Sequence, residues 1–276
     1  MKLKTAFLLI FWAFLKPLTA QSLTDLRLIW SDFAQTSGYS GVQIGEVDRF
    51  LNRLEKHQNR LQEKSEIERA KWLYVQAKAK FFVSYKDEAN FSGTIQHGTF
   101  NCLTGTTLLA SLFRYFEIQH QIIETNHHIF ILIDGAEKLL VEVTDPNGFI
   151  ANKKEIEMRL ERYQQNTQFA GATYDDKKMY RYTFNLWESI SLEDLKGRLF
   201  YNEAVKSFNN KKLGLSINQL AQAGACSYSE RYSELAQILS LSVKLNETLE
   251  EEKKFQLLLQ LKNISRKNAA YALSAN

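Results

Sequence analysis

Proline, glycine and cysteine are scarce in this chain. Its 276 residues include 2 prolines, 12 glycines and 2 cysteines. So few chain-breaking residues predict long, regular elements that are mostly helical. Two cysteines are too few for a disulfide-rich scaffold or for a zinc site with four thiolates. The remaining composition, with 45% hydrophobic, 12% aromatic and 24% charged residues, is typical of a globular protein of one or two domains.

The first 20 residues have the anatomy of a secretory signal peptide. Lys2 and Lys4 precede an apolar run from Ala6 to Leu15, and Ala20 offers a small residue for cleavage. The run is shorter than the roughly 20 residues that span a bilayer, although an N-terminal membrane anchor remains the alternative. We therefore expect a secreted or periplasmic protein with no integral membrane span after the signal is removed.

Basic charge is not in excess once that segment is set aside. Loss of Lys2, Lys4 and Lys16 reduces the 35 basic residues to 32, against 31 acidic residues. A near-neutral chain offers no broad positive field to hold a phosphate backbone, so no nucleic-acid partner is expected.

The hydrophobic pattern divides the mature chain into three regions. Residues 21–92 have apolar residues at helical spacing, with a break at Ser37 to Gly41. Residues 93–190 combine helices and strands, which makes the fold class α+β. The predicted elements are a helix at 103–116, strands at 121–125, 129–133 and 139–143, a helix at 153–163 and a late strand at 180–184. Asp134-Gly135 predicts a tight hairpin between the second and third strands.

Residues 191–276 form the third region, a helical array without proline. Four apolar-periodic segments predict two helical hairpins in a row. Ala204, Ser216, Leu220 and Ala223 fit signature positions of a tetratricopeptide repeat, whereas Ser207 and Tyr228 do not. The pattern leaves open a tetratricopeptide-like pair or generic helical hairpins, and either could bind a protein partner.

Cys102 is the first candidate for chemistry. Asn101 is a suitable N-cap, which would place Cys102 in the first turn of the following helix. The free N–H groups of a helix N-terminus favour a thiolate over a thiol, and a thiolate is a nucleophile. An unpaired cysteine is also often a small buried residue with no chemical role.

His128 and Asp145 are the candidate partners of that thiol. His128 begins one predicted strand, and Asp145 ends the next. Side chains alternate between the faces of a strand, so a hairpin loop with an even number of residues places His128 and Asp145 on one face and His127 on the other. An imidazole held by a carboxylate beside a thiol is the Cys–His–Asp arrangement of nucleophilic catalysis.

These residues resemble the transglutaminase-like superfamily. The resemblance covers residues 93–150 and rests on Asn101-Cys102 before a helix, on His128-Ile-Phe-Ile-Leu-Ile and on Glu142-Val-Thr-Asp145-Pro146. It is nearest to a bacterial branch with C-terminal tetratricopeptide-like helices. It implies a papain/transglutaminase-like core and the roles of nucleophile, base and orienting carboxylate for Cys102, His128 and Asp145. Papain-like proteases also carry a glutamine at the spacing of Gln96, which could help to bind an oxyanion.

The other histidines and Cys226 have alternative interpretations. His97 and His127 fit supporting or surface positions, and a zinc site is disfavoured because adjacent strand histidines point to opposite faces. A Cys102–Cys226 disulfide would remove the nucleophile, whereas the Asn-Cys helix start and the His128–Asp145 pairing favour a free thiol. Cys226 then becomes a packing residue.

The expected function is that of an exported transglutaminase-like cysteine enzyme. It would act on an acyl or amide bond of a peptide or protein, and the resemblance favours hydrolysis over cross-linking. No dinucleotide-binding or phosphate-binding glycine motif and no EF-hand pattern is present, so no cofactor or metal is expected. The alternative is a catalytically inactive transglutaminase-like fold that serves as a protein-binding module.

Overall fold

The computed structural model describes residues 23–38, 44–135, 138–168 and 186–274. Within these ranges the chain forms helices and strands in a mixed order. The helices are α1 (Leu23–Gln35), α2 (Ile44–Lys56), α3 (Gln58–Gln62), α4 (Glu66–Phe81), α5 (Phe91–His97), α6 (Cys102–Tyr115), α7 (Lys153–Gln168), α8 (Asp194–Asn209), α9 (Leu213–Cys226), α10 (Glu230–Leu245) and α11 (Glu251–Ser274). The strands are β1 (Ser84–Tyr85), β2 (Thr99–Phe100), β3 (Gln121–Thr125), β4 (Ile129–Asp134), β5 (Lys138–Val141), β6 (Phe149–Ile150) and β7 (Trp187–Ile190).

The N-terminal helices pack onto the central helix α6. In α1, Leu23, Leu26, Trp30 and Phe33 are buried at the spacing of one helical face. The Trp30 indole N–H donates to Ser111 Oγ of α6 at 2.6 Å, which satisfies a buried polar group inside the core. One continuous hydrophobic cluster runs from α1 to the start of α8, so the N-terminal helices and the central region share a core.

The sheet that carries the candidate site has two buried faces. Its strand order is β6-β5-β4-β3-β7, with every neighbouring pair antiparallel. Ile129, Ile131 and Ile133 of β4 belong to the cluster that contains α6, whereas Phe130 and Leu132 pack with α7. The strand alternation predicted from sequence therefore separates an α6 face from an α7 face.

The two hairpins of this sheet differ in loop length, with an even number of residues in one loop and an odd number in the other. β3 and β4 are joined by the two-residue turn Asn126-His127, and the turn is closed by Thr125 N–H donating to His128 O at 2.8 Å. β4 and β5 pair Ile131 with Val141 and Asp134 with Lys138, which leaves three residues in the loop. The predicted even-length loop is therefore wrong, because one residue more than the tight turn of Asp134-Gly135 joins the strands.

The central elements otherwise follow the sequence pattern closely. The predicted helix at 103–116 is α6, the three predicted strands are β3, β4 and β5, and the predicted helix at 153–163 is the first part of α7. The predicted strand at 180–184 lies outside the described residues. The edge strand β7 was not predicted, and it pairs with β3 from Thr125–Trp187 to Ile122–Ile190.

The C-terminal helical region is confirmed. Helices α8 to α11 form a second hydrophobic cluster, which extends from Phe200 to Ile264. Ser216 Oγ donates to Ala204 O at 2.8 Å, so the small residues that suggested a repeat lie where α8 and α9 pack closely. Whether this is a tetratricopeptide-like pair stays a prediction. In the described part of the chain, no helix combines the length and apolarity required for a membrane span.

Candidate active site

Cys102 is the first residue of α6, as the sequence predicts. Asn101 is the N-cap: its side chain accepts from Thr104 N–H at 2.9 Å, and the Thr104 hydroxyl accepts from Asn101 N–H at 3.1 Å. The Asn101 amide group donates in addition to the backbone oxygens of Asp87 and Ala89. These bonds fix the start of α6 and, with it, the position of the thiol.

The Cys102 thiol is neutral in this environment. Burial, and to a lesser extent the negative charge of Glu142, raises the pKa of Cys102 to about 11. Hydrogen bonding from the backbone of Ile129 and Leu103 and the positive charge of Arg231 oppose this rise. Desolvation therefore outweighs the helix N-terminus, which was expected to favour the thiolate.

His128 is held by Glu142 and not by Asp145. Its Nε2 hydrogen-bonds to Glu142 Oε2, and the Glu142 side chain is only 3% exposed. The second Glu142 oxygen accepts from the Thr144 N–H at 3.0 Å and from the Thr144 hydroxyl at 2.7 Å, while the Tyr163 hydroxyl donates to Oε2 at 3.2 Å. The carboxylate is thus satisfied on both oxygens, and in this structure it holds the imidazole on the α7 side of the sheet.

The protonation of His128 follows from the same contacts. Burial lowers the pKa of His128, and the Glu142 charge opposes this only in part. At neutral pH the ring is therefore uncharged. Because a carboxylate can only accept, the ring proton resides on Nε2, and Nδ1 is the nitrogen that can take up another proton.

Asp145 pairs with Arg159 of α7, which corrects the predicted His128–Asp145 pair. Arg159 Nη1 lies 2.5 Å from Asp145 Oδ2, and Asn147 N–H donates to Asp145 Oδ1 at 2.7 Å. Burial raises the pKa of Asp145, but the bonds from Arg159 and Asn147 outweigh it and lower the pKa overall. The physical reason is the length of the loop between β4 and β5. With three residues in this loop, Glu142 lies on the same face as His128, and Asp145 lies on the opposite face.

Cys102 and His128 reach the same end of β4 from different faces of the sheet. Cys102 packs against the α6-side cluster and contacts the backbone of Ile129, the residue after His128. The His128 ring lies on the α7 side, with ring centroids 6.1 Å from Phe130 and 5.2 Å from Tyr163. Cys102 therefore lies next to the residue that follows His128, while the His128 ring is on the other side of the sheet.

Gln96 occupies α5, the short helix that precedes β2. Its Nε2 is buried and, among the described residues, has no hydrogen-bond partner, so its N–H groups are available to a ligand. α5 ends at Gly98, where φ is +67° and an added Cβ would lie 2.8 Å from Val83 Cγ2. His97 and His127 are exposed, in keeping with the prediction for surface positions. The oxyanion role of Gln96 stays a prediction.

Three residues near the site were not identified from sequence. Glu142 falls on the His128 face only when the β4–β5 loop is three residues long, so a different loop count would have found it. Tyr163 is one residue of the predicted helix and carries no local signal for its contact with Glu142. Arg231 comes from α10, and nothing in its sequence neighbourhood points to the site.

The two cysteines are free in the structure. Cys226 packs against the C-terminal hydrophobic cluster, whereas Cys102 packs against the central one, so the two thiols lie in different parts of the core. Burial raises the pKa of Cys226, which makes it an unreactive thiol. Over the ranges that the structure describes, no three histidine, cysteine or acidic side chains gather in a way that could hold a metal ion.

Comparison with known proteins does not assign a family. No family model, curated protein or solved structure matches this chain.

Proposed function

We propose that the protein is an exported cysteine enzyme of the transglutaminase-like type, with a papain-like core, that cleaves an acyl or amide bond of a peptide or protein. Cys102 is the nucleophile, His128 is the base, and Glu142 takes the orienting role first assigned to Asp145. The single observation that carries the proposal is the His128–Glu142 pair at the end of β4, one residue from the backbone that contacts Cys102.

The chemistry follows from these positions. Nδ1 of His128 takes the thiol proton as Cys102 Sγ attacks the carbonyl carbon, and Glu142 stabilises the imidazolium through Nε2. The imidazolium then protonates the leaving amine, and a water molecule releases the acyl group from sulfur. The Cys102 backbone N–H and the unpartnered Gln96 amide are the candidate donors to the tetrahedral oxyanion.

The resting geometry requires one movement. The His128 ring must turn over the end of β4, from the α7 side toward the thiol. In the adjacent turn Asn126-His127, Asn126 is buried and its Oδ1 accepts from Leu186 N–H, whereas His127 is exposed, so the turn reaches the surface only at His127. Catalytic hydrogen bonds often tighten only in the complex with substrate, in keeping with a neutral thiol before binding.

A second candidate function is supported by the thiol itself. A pKa of about 11 describes a cysteine that is protonated and unreactive at neutral pH. If no ligand changes this state, the same fold acts as a protein-binding module, with the C-terminal helices as its partner surface.

Thiol labelling separates the two functions. In a Cys226→Ser background, Cys102 is the only cysteine, and its alkylation rate is measured against pH with and without candidate peptides. The enzyme proposal expects peptide-dependent labelling that is slowed by His128→Ala and unchanged by His127→Ala. Labelling that is insensitive to peptide and to both histidines would favour the binding module.

Export is part of the same proposal. Mass measurement of the protein from its native host should give an N-terminus near Gln21. An intact Met1 would contradict processing by a signal peptidase.

A further inference from the structure

A buried carboxylate joins the sheet to the C-terminal helices. Glu124 of β3 is 7% exposed at its side chain and lies between two arginines. Arg198 Nε of α8 lies 2.5 Å from Glu124 Oε2, and Arg231 Nε of α10 lies 3.1 Å from Glu124 Oε1. Both arginines are at most 8% exposed, so this is a desolvated three-residue ion cluster and not a surface pair.

We propose that Arg231 is a positioning residue of the candidate active site, so that helix α10 of the C-terminal region sets where His128 stands relative to Cys102. The inference rests on the proposed function, because it assigns a role toward the same Cys102–His128 pair. It assigns the helical region a part in the site itself, beyond a surface for partners.

Thr125 connects Arg231 to the turn that carries His128. Arg231 Nη2 donates to the Thr125 backbone oxygen, and Arg231 Nε faces Glu124, the preceding residue. Thr125 in turn closes the turn that carries His128: its N–H donates to His128 O at 2.8 Å, and its hydroxyl accepts from His128 N–H at 3.1 Å. The guanidinium fork of Arg231 therefore contacts two consecutive residues, through a hydrogen bond from Nη2 to Thr125 O and an ion pair of Nε with Glu124, and two contacts fix a position better than one does.

Arg231 is also one of the charged groups that act on the Cys102 thiol. The charged and titratable groups near Cys102 come from three separate elements: Glu142 after β5, Tyr85 of β1 and Arg231 of α10. Glu142 raises the pKa of Cys102, and Arg231 is the positive group that opposes it. Around Arg231 itself the facing carboxylates are Glu124 of β3 and Glu188 of β7.

Arg198 provides a matched control within the same cluster. It shares Glu124, is even more buried, and likewise joins the sheet to the helices. Its Nη1 donates to Ser227, to the Tyr228 backbone oxygen and to the Tyr232 hydroxyl, all in the helical region, and its Nη2 lies 3.8 Å from Glu188 Oε2 of β7. Loss of Arg198 therefore disturbs the cluster and the fold without releasing the turn that carries His128.

The experiment compares Arg231→Gln with Arg198→Gln in the full chain, both in the Cys226→Ser background. The readouts are the pH profile of Cys102 alkylation by iodoacetamide and the denaturant midpoint of unfolding. We expect both variants to lower the midpoint. Only Arg231→Gln should slow alkylation at a fixed pH, by roughly tenfold for each unit by which the Cys102 pKa rises.

A conservative pair keeps the test decisive where a glutamine variant does not fold. Arg231→Lys keeps the charge but lacks the fork, and Arg198→Lys is its control. The pH titration of the His128 ring, followed by NMR, should change in Arg231→Lys and stay as in the parent in Arg198→Lys. Equal changes in the two variants, or no change in either, would overturn the positioning role.

The failure of this inference and the failure of the proposed function are distinguishable. If Arg231 variants shift the profile while His128→Ala leaves peptide-dependent labelling unchanged, α10 still shapes the thiol, but the catalytic role of His128 is lost. If His128→Ala slows labelling and the Arg231 variants do not, the enzyme proposal survives, and the positioning role fails.

Discussion

The His128 ring and the Glu142 carboxylate form a buried hydrogen-bonded pair between neighbouring strands of the sheet. Asp145, only three residues further along the chain, faces Arg159 and takes no part in it. Glu142 therefore occupies the position beside His128 that the sequence pattern predicts for Asp145. The two carboxylates make different contacts, so substitutions can tell them apart.

Glu142→Gln should make Cys102 more reactive toward a small alkylating agent. The Glu142 charge raises the pKa of the thiol, so a neutral amide of the same shape lowers that pKa and increases the thiolate fraction at pH 8 to 9. Turnover of any peptide substrate should fall at the same time, because the imidazolium loses its carboxylate partner. Labelling rate and turnover thus change in opposite directions, and both can be measured on one preparation.

Asp145→Asn is the matched control for that experiment. It removes the ion pair with Arg159, whose side chains are 20% and 26% exposed, and should reduce stability by no more than about 1 kcal/mol. The alkylation profile of Cys102 should stay as in the parent. A larger effect of Asp145→Asn than of Glu142→Gln on turnover would restore Asp145 as the orienting residue.

Stability should decrease as the pH falls from 7 toward 5, and His128 should account for part of the decrease. Burial lowers the pKa of His128 in the folded protein, whereas the unfolded chain has the ordinary value of about 6.5. Between these two values the unfolded state binds more protons, so the free energy of unfolding rises with pH and is lost on acidification. Denaturant midpoints from pH 5 to 7.5 should vary less in His128→Gln than in the parent.

His120 provides an independent comparison for the same measurement. Burial also lowers its pKa; it packs against Phe113 and directly precedes β3, whose other end leads to the turn before His128. His120→Gln should flatten the pH dependence in addition to His128→Gln. An unchanged slope in both buried variants would show that other groups control the acid limb.

Gly105→Ala should destabilise the protein although alanine is the better helix former. An added Cβ on this residue of α6 would lie 2.8 Å from Val143 Cγ2 and 3.2 Å from Val143 Cβ, so the helix would have to separate from the segment that follows β5. Such overpacking costs about 1–3 kcal/mol, which exceeds the gain in helix propensity. Gly214→Ala in α9 meets nothing within 4 Å and should be neutral or stabilising, by up to about 1 kcal/mol. Urea unfolding of both variants tests the contrast.

Local signals were sufficient for the element that carries the thiol. The cap residue Asn101 and the small residues after Cys102 predict where α6 begins, and the structure places its first residue at Cys102. The strands next to His128 and Glu142 were likewise predicted, because short apolar runs of a few residues indicate buried strands. These features depend on sequence separations of fewer than ten residues.

The pairing of side chains could not be predicted in the same way. It depends on the number of residues in one loop, and a single residue reverses the face of every side chain that follows. Asp134-Gly135 indicated a two-residue loop, whereas Asp134 pairs with Lys138. The contribution of Arg231 depends on how the helical region docks on the sheet, which is a property of the whole fold and has no local pattern.

The link between Arg231 and Thr125 spans 106 residues, and it has a consequence for biosynthesis. A polypeptide that emerges from its N-terminus first completes the sheet before α10 exists. During that interval Glu124 has neither arginine partner, and the turn that carries His128 lacks its anchor. We expect that the turn that carries His128, and the groups around the Cys102 thiol, take their final positions only after α10 has been synthesised.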